Sequence, residues 1–392
     1  MRDLLSSRLL VLCARPGDDA GGRSEALRLA AAVRDWDMAL AKAEREGLLP
    51  LLYWALRDDP GAVPGTVMER LRLAFLRNLA RTTQIYRELE LFLESVRRSG
   101  LRAALTKGGR LALDVYPDTA LRPFWDVDFV VHPADWPGLR AILGRLGFVE
   151  AVSGAVADPG PAGQSLDWTY SPYFKKGSLF LEFHGSPLGL HFPGASGDGF
   201  WSSAGRLRVR GTEALVLPAE NELCYLCVHA QQHSYDRLIW LADIARLAGR
   251  PGLDWGWVCR LTRGERIRGP VFYGLHLTES LWPGCVPPEA RQDLRPGPVE
   301  SAALRLLWPP AATAARSEAQ AWPYYMPSLF SLWERREPGL AARTLRQIFF
   351  PPKAWLASAT GVAVDSPRLY GRYAERLLRP ALTTARRIMD PK

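Results

Sequence analysis

The hydrophobic period of this 392-residue chain changes twice, and those two changes limit the folds open to it. From about Ser24 to Arg98 apolar residues recur near a 3.6-residue spacing. Leu27, Ala31, Trp36 and Leu40 come first, then Leu48, Leu51, Leu52 and Leu56. After a break at Pro60 to Pro64, the run from Val67 to Arg98 places Leu71, Phe75, Leu79, Ile85, Leu89, Phe92 and Val96 mostly on one helical face. Beyond Gly100 the period falls towards two. Ala103 to Leu105 reads as a short strand, Arg110 to Val115 as a helix and Asp126 to Val131 as a strand. A helix follows Pro133 as far as Leu146, and Phe148-Val149 resumes a strand. Tyr170 to Phe174 and Ser178 to Phe183 read as a hairpin turned by Lys175-Lys176-Gly177. From Pro218 onward the helical period returns in five segments that end at Leu307, with Pro-rich breaks at 283–298 and 309–310. The pattern predicts an α+β chain: a helical region over 1–100, a mixed β-sheet core over 101–218 and a helical region over 219–392.

Several function classes lose support at once. Five cysteines, odd in number and widely spread, do not make a disulfide framework and suit a reducing compartment. Cys224 and Cys227 form a C-x-x-C, but inside the apolar helical run ELCYLCVHA, where buried small hydrophobes are the plainer reading. Arg8 and Arg15 interrupt the first apolar stretch, so no signal peptide is expected. No stretch reaches the 18 or more apolar residues that span a bilayer, and a cytoplasmic location is expected. The net charge of +9 suits a phosphate-bearing ligand. No basic run is interleaved with aromatics, so nucleic acid is not an expected partner, and the basic stretch from Arg368 to Arg387 reads as a solvated helix face.

Three segments carry chemistry. Asp126 and Asp128 are two residues apart in a strand, which puts both carboxylates on one face. Two like charges there call for a cation, and magnesium takes carboxylate oxygens and is completed by substrate phosphates. In Leu179-Phe180-Leu181-Glu182-Phe183-His184, alternation sends Glu182 and His184 to one face and Leu181 and Phe183 to the other. If that strand neighbours Asp126 to Val131, Glu182 becomes a third acid, as metal ligand or general base. Thr106-Lys107-Gly108-Gly109-Arg110 is a strand-to-helix junction whose glycines let backbone N–H groups approach a phosphate, with Lys107 adding a point charge. Further on, His229 and His233 share a helix face.

In this order the segments resemble the polymerase-beta-like nucleotidyltransferase superfamily: a Gly-rich turn, a helix, a D-h-D strand and a later acid. The wording ALTKGGRLALDVYPDTALRPFWDVDFVV and FLEFHGSPLG is similar to a bacterial family of uncharacterised nucleotidyltransferases, as are DWDMALAKAEREGLLPLLYWAL upstream and HAQQHSYDRLIWLADIARL downstream. The turn reads Gly108-Gly109 where the superfamily has Gly-Ser. The resemblance covers most of Asp35 to Trp282. It implies a nucleotidyltransferase-like sheet core and transfer of a nucleoside monophosphate, AMP from ATP, to a small-molecule or peptide acceptor with release of pyrophosphate. Magnesium and a nucleoside triphosphate are then the expected cofactor and co-substrate. Asp126, Asp128 and Glu182 are the catalytic and metal-binding residues it implies. Lys107, Gly108, Gly109 and Arg122 are its nucleotide-binding residues, and His184, His229, His233, Arg237 and Asp243 line the substrate pocket. Protein adenylyl transfer, phosphoryl transfer on the same site, and a non-catalytic binding or maturation partner stay open as alternatives.

Overall fold

A computed structural model describes residues 2–17, 20–151, 173–185, 201, 203–233, 235–307, 346, 349–350, 353–375 and 377–378. Five helices precede the sheet: α1 (Arg2–Cys13), α2 (Ala20–Ala32), α3 (Trp36–Arg45), α4 (Leu49–Leu56) and α5 (Gly65–Arg98). Their limits follow from local chemistry. The Asp35 carboxylate caps α3 by accepting from the Met38 amide at 3.0 Å. Pro50 opens α4 at a position where its missing N–H costs nothing. The 34-residue α5 starts after Pro64 and ends at Ser99 and Gly100, the latter at φ 65°, where glycine carries no Cβ penalty.

The sheet then alternates with helices: β1 (Ala103–Thr106), α6 (Lys107–Asp114), β2 (Val127–Val131), α7 (Trp136–Arg145), β3 (Val149–Ala151), β4 (Tyr173–Lys176), β5 (Leu179–His184), β6 (Gly205–Val209) and β7 (Thr212–Val216). These seven strands form one mixed sheet in the order β3-β4-β5-β2-β1-β7-β6. β2 runs antiparallel to β1 and parallel to β5, while β7 runs parallel to β1. After it come α8 (Ala219–Gln232), α9 (Leu238–Ala248), α10 (Trp255–Gly264), α11 (Arg268–Leu281), α12 (Pro288–Leu294), α13 (Pro298–Leu307) and, near the end, α14 (Lys353–Thr360). No helix among the described residues is long and apolar enough to cross a membrane.

β2 is buried on both faces, so its alternation sorts side chains between two packing layers. Val127, Phe129 and Val131 face α5 and α7, where Phe92, Phe129, Phe183 and Trp136 pack with ring centroids 5.3 to 6.0 Å apart between neighbours. Val130 points the other way, with Ala104, Leu217 and Tyr225 of α8. A separate core joins the chain's beginning to its later helices: Leu9, Leu40, Leu52 and Leu71 pack in one cluster with Leu223, Leu241 and Tyr273. Helix α5 belongs to both cores, which ties the helical layer rigidly to the sheet.

One sequence expectation shifts in detail. The hairpin turn falls at Gly177-Ser178, with Gly177 at φ 59° and Lys175 and Lys176 inside β4, because pairing of Lys176 with Leu179 leaves two residues to turn the chain. Residues 170–172, 309–310, 376 and 379–387 of the expected elements lie outside the described residues. The β6–β7 hairpin carries no clear apolar alternation: Gly205 to Val209 is mostly exposed, an edge strand whose arginines discourage further pairing.

Candidate functional site

Register builds the site. Thr106 lies opposite Asp128 across the β1–β2 pair, and Asp128 lies opposite Glu182 across the parallel β2–β5 pair, with Val130 opposite His184. Neighbouring strands are spaced by roughly 4.8 Å. Three strands therefore bring the end of β1, one acid of β2 and one acid of β5 into a row on the face away from α5. The candidate ligand atoms of Asp128, Glu182 and His184 lie within 4.8 Å of one another. The His184 Nε2 is 2.9 Å from Asp128 Oδ1 and 3.5 Å from Glu182 Oε2. Asp126 immediately precedes β2, half-buried, and opens onto the same cavity as Asp128 and Glu182.

Lys107 reaches into this row. Its ammonium donates to Asp128 Oδ1 at 2.7 Å, lies 3.2 Å from His184 Nε2, and sits 5.5 Å from the centroid of the Tyr225 ring. Lys107 adopts φ 49°, a left-handed conformation uncommon for a residue with a Cβ. The turn that demands it is held by Glu222, a fully buried acid of α8. The Lys107 amide donates to Glu222 at 2.8 Å, the Thr106 hydroxyl at 2.7 Å and the Arg110 guanidinium at 3.2 Å. Arg110 also donates to the Leu217 carbonyl at 2.8 Å, so the start of α6 and the start of α8 are fastened together.

The glycines that follow are set by packing. A Cβ on Gly108 would lie 2.7 Å from Phe124 Cβ, and one on Gly109 would lie 3.2 Å from Val127 Cγ1. The start of α6 thus presses against the segment that leads into β2, which keeps Gly108 on the cavity wall beside Asp126.

Opposing charges shape the acids. Burial, reinforced by the charges of Asp128 and Glu182, pushes the Asp126 carboxyl up to about 6. Burial alone would raise Glu182 as well, but the neighbouring His184 and Lys107 outweigh it and hold that carboxyl well below the usual range. Burial and the Lys107 charge oppose protonation of His184, yet the Glu182 and Asp128 carboxylates prevail and raise it. For Lys107 itself, burial is overcome by Asp128 first, and its ammonium is held well above the ordinary lysine range. Anionic oxygen donors grouped at one cavity wall fit a hard divalent cation, and Asp126 is the acid on which burial and the neighbouring carboxylates outweigh Lys107.

The remaining candidates fall into two groups. Arg122 and Asp243 meet each other: Arg122 Nε lies 2.9 Å from both Asp243 oxygens and Nη2 lies 2.7 Å from Oδ2, while the Tyr116 hydroxyl donates to Oδ1 at 2.7 Å. This buried fork fastens the loop before Asp126 to α9. His229 and His233 meet with their rings tilted by 58° and centroids 4.7 Å apart, at 5.2 and 5.1 Å from the Trp240 ring. Burial and then the Lys107 charge hold His229 well below the ordinary histidine range, and the same two causes lower His233, whose ring opens onto the cavity. Arg237 stands exposed just before α9, 5.7 Å over Trp240.

A cavity of about 990 Å³ connects these groups, running from the acids between α3, α5 and α9. Sequence reading passed over Glu222 and Tyr225, which sit inside an apolar helical run, and over Trp125, Trp240 and Arg81 on the cavity wall. An acid two residues ahead of Cys224 in an otherwise apolar run was the one available signal for Glu222. Cys224 and Cys227 are buried, and burial pushes the Cys224 thiol up to about 12. No curated protein and no solved structure gives a significant match to the chain. A family model described as uncharacterised nucleotidyltransferase matches residues 32–283, more than half of the chain, and the protein belongs to that family.

Proposed function

We propose that the protein transfers a nucleoside monophosphate, with ATP as the expected donor, to a small-molecule or peptide acceptor and releases pyrophosphate, on a polymerase-beta-like core. The observation that carries this reading is the row formed by Asp128 and Glu182 on adjacent parallel strands, with Asp126 at its edge, opening onto one cavity. Asp126, Asp128 and Glu182 would hold magnesium. Bound there, the metal supplies positive charge against the phosphate oxygens of the donor.

The chain's own residues divide the rest of the work. Glu182 is better suited to holding a cation than to taking a proton, because a carboxyl kept so acidic is a poor general base. Lys107 neutralises Asp128 and so keeps the row of acids from repelling itself apart. Gly108 and Gly109 put the start of α6 at the cavity wall, where backbone N–H groups and the helix dipole favour a phosphate. The Arg122–Asp243 fork holds the Asp126 segment in position. His229, His233 and Arg237 also line the cavity, where the acceptor would enter. A volume of about 990 Å³ accommodates nucleotide and acceptor together, which suits direct in-line transfer.

The test is melting temperature with each of the four nucleoside triphosphates, with and without magnesium, followed by incubation with labelled ATP. A shift that needs both nucleotide and metal, and α-label on the acceptor, is the expected result. Label transferred from the γ position would make the protein a phosphotransferase, and no shift with any nucleotide would remove the reading.

A further inference from the structure

Of the six lysines and arginines on the cavity wall, three are matched to a carboxylate, and Arg237 stands over Trp240 just before α9. Arg70 pairs with Asp37 at 2.6 Å, Lys107 with Asp128 at 2.7 Å and Arg122 with Asp243 at 2.7 Å. Arg77 and Arg81 are different: both line the cavity, and among the described residues neither has a carboxylate partner. They stand four residues apart on α5 and so share one face, an arrangement in which two like charges repel across a single helical turn. The Arg81 guanidinium carbon lies over the Trp125 ring, 3.1 Å from its centroid. That contact occupies a face of the guanidinium and leaves its N–H edge free for an oxyanion.

The pair is held in place with respect to the acids. Between the two arginines, the Asn78 side chain donates to the Ala120 carbonyl at 2.6 Å, and the Thr82 hydroxyl donates back to the Asn78 carbonyl at 2.9 Å. One and a half turns further on, the Tyr86 hydroxyl donates to the Gly109 carbonyl at 2.8 Å. Arg81 is thus about 7.5 Å along the helix axis from the residue that touches the start of α6, and Arg77 about 6 Å beyond it. Trp125, under Arg81, is the residue immediately before Asp126. The row runs from the acids and the start of α6 along the cavity wall.

We infer that Arg77 and Arg81 form the oxyanion grip for the phosphate chain of the donor nucleotide, in place of Lys107 and Arg122, an inference that rests on the nucleotidyltransferase reading above. A triphosphate carries more negative charge than one divalent cation offsets, and these guanidiniums are the uncommitted positive charge on the α5 side of the cavity. Bound phosphate would relieve the repulsion between them. Burial lowers the Arg81 guanidinium below its usual range.

Calorimetric titration with inorganic tripolyphosphate and with magnesium-ATP tests the grip on the parent, on the double variant Arg77→Ala/Arg81→Ala, and on Arg72→Ala. Arg72 lies on the same helix, exposed and paired with Glu69, away from the cavity. The double variant should bind both ligands about tenfold to a hundredfold more weakly, while Arg72→Ala binds as the parent does. The single variant Arg77→Ala, at an exposed position, should show part of the loss with no change in melting temperature. Unchanged magnesium-ATP affinity in the double variant overturns the inference and leaves the nucleotidyltransferase reading standing. Arginine-dependent binding of tripolyphosphate in a parent that ignores magnesium-ATP and every other nucleotide overturns the grip as one for a nucleotide and removes that reading with it. A parent that binds neither ligand, or an equal loss in Arg72→Ala, overturns the grip.

Discussion

Replacing Asp126 with Asn should make the metal-free protein more stable at neutral pH, although it removes a proposed ligand. The Asp126 carboxyl is pushed from its ordinary 3.8 to about 6 by burial and by the charges of Asp128 and Glu182. Because the folded value is the higher one, the native state holds this proton more tightly than the unfolded chain does. The group's contribution is therefore most favourable below about pH 4, and it is lost as pH rises through about 6. About two pKa units, at roughly 1.4 kcal/mol each, correspond to a cost of about 3 kcal/mol at neutral pH as an upper bound. Asn keeps the shape and carries no charge, so it escapes that cost.

Urea denaturation in EDTA from about pH 4 to pH 8 reads the effect directly. Parent and Asp126→Asn should be close at the acid end and should separate as pH rises, with the variant the more stable above pH 6. Added magnesium should then stabilise the parent more than the variant, closing or reversing the gap, because ligation removes the repulsion that the substitution removes by other means. A gap that is absent at pH 8, or that widens towards pH 4, would refute the electrostatic reasoning. Equal magnesium stabilisation of both proteins would refute the ligand role.

Glu222→Gln should destabilise the fold by about 1.5–3 kcal/mol, since it removes the buried charge that accepts from the Lys107 amide, the Thr106 hydroxyl and Arg110, while Arg110 keeps its pair with Asp114; equal unfolding midpoints in urea would count against the strut. Gly108→Ala should cost about 1–3 kcal/mol, because its Cβ would lie 2.7 Å from Phe124 Cβ, and Gly109→Ala should cost less at 3.2 Å from a movable valine methyl. Thermal melts that rank the two the other way would show that the α6 start can shift. Asp243→Asn should lose about 3 kcal/mol by leaving Arg122 buried and uncompensated. In the Asp243→Asn/Arg122→Met pair the loss should fall short of the sum of the single losses, which a double-mutant cycle measures.

What could be read ahead of the structure was local. Alternation in Asp126 to Val131 and in Leu179 to His184 assigned Asp128, Glu182 and His184 to one face each, because a strand's period of two is a property of its own residues. That the two strands are parallel neighbours in a register opposing Asp128 to Glu182 depends on sheet order, and β3 and β4 intervene between them along the chain. The same limit hid partner choice. Arg122 and Asp243 were singled out for different tasks, and nothing in either segment shows that they bind each other across 121 positions. The β6–β7 hairpin was missed for an opposite reason: an edge strand exposes its side chains, so the apolar alternation that marks a strand is diluted by Arg206 and Arg208.

Glu222 and Lys107 show how long-range contacts change what a residue is for. In sequence, Lys107 before two glycines suggests a cation aimed at a phosphate. In the fold, a buried acid from the next helical layer takes the Lys107 amide, the chain turns through φ 49°, and the ammonium is directed onto Asp128. A cation that neutralises an acid is not simultaneously free for a substrate, so under the proposed reading the positive charge for a nucleotide comes from elsewhere on the wall. Helix α5, read from its period as a core helix, buries its second half against the sheet, yet Arg77 and Arg81 sit where its face turns from core to cavity. Amphipathic periodicity identifies the apolar stripe of a helix but not which part of its polar face lines a binding site, and here that part supplies the cations left uncommitted.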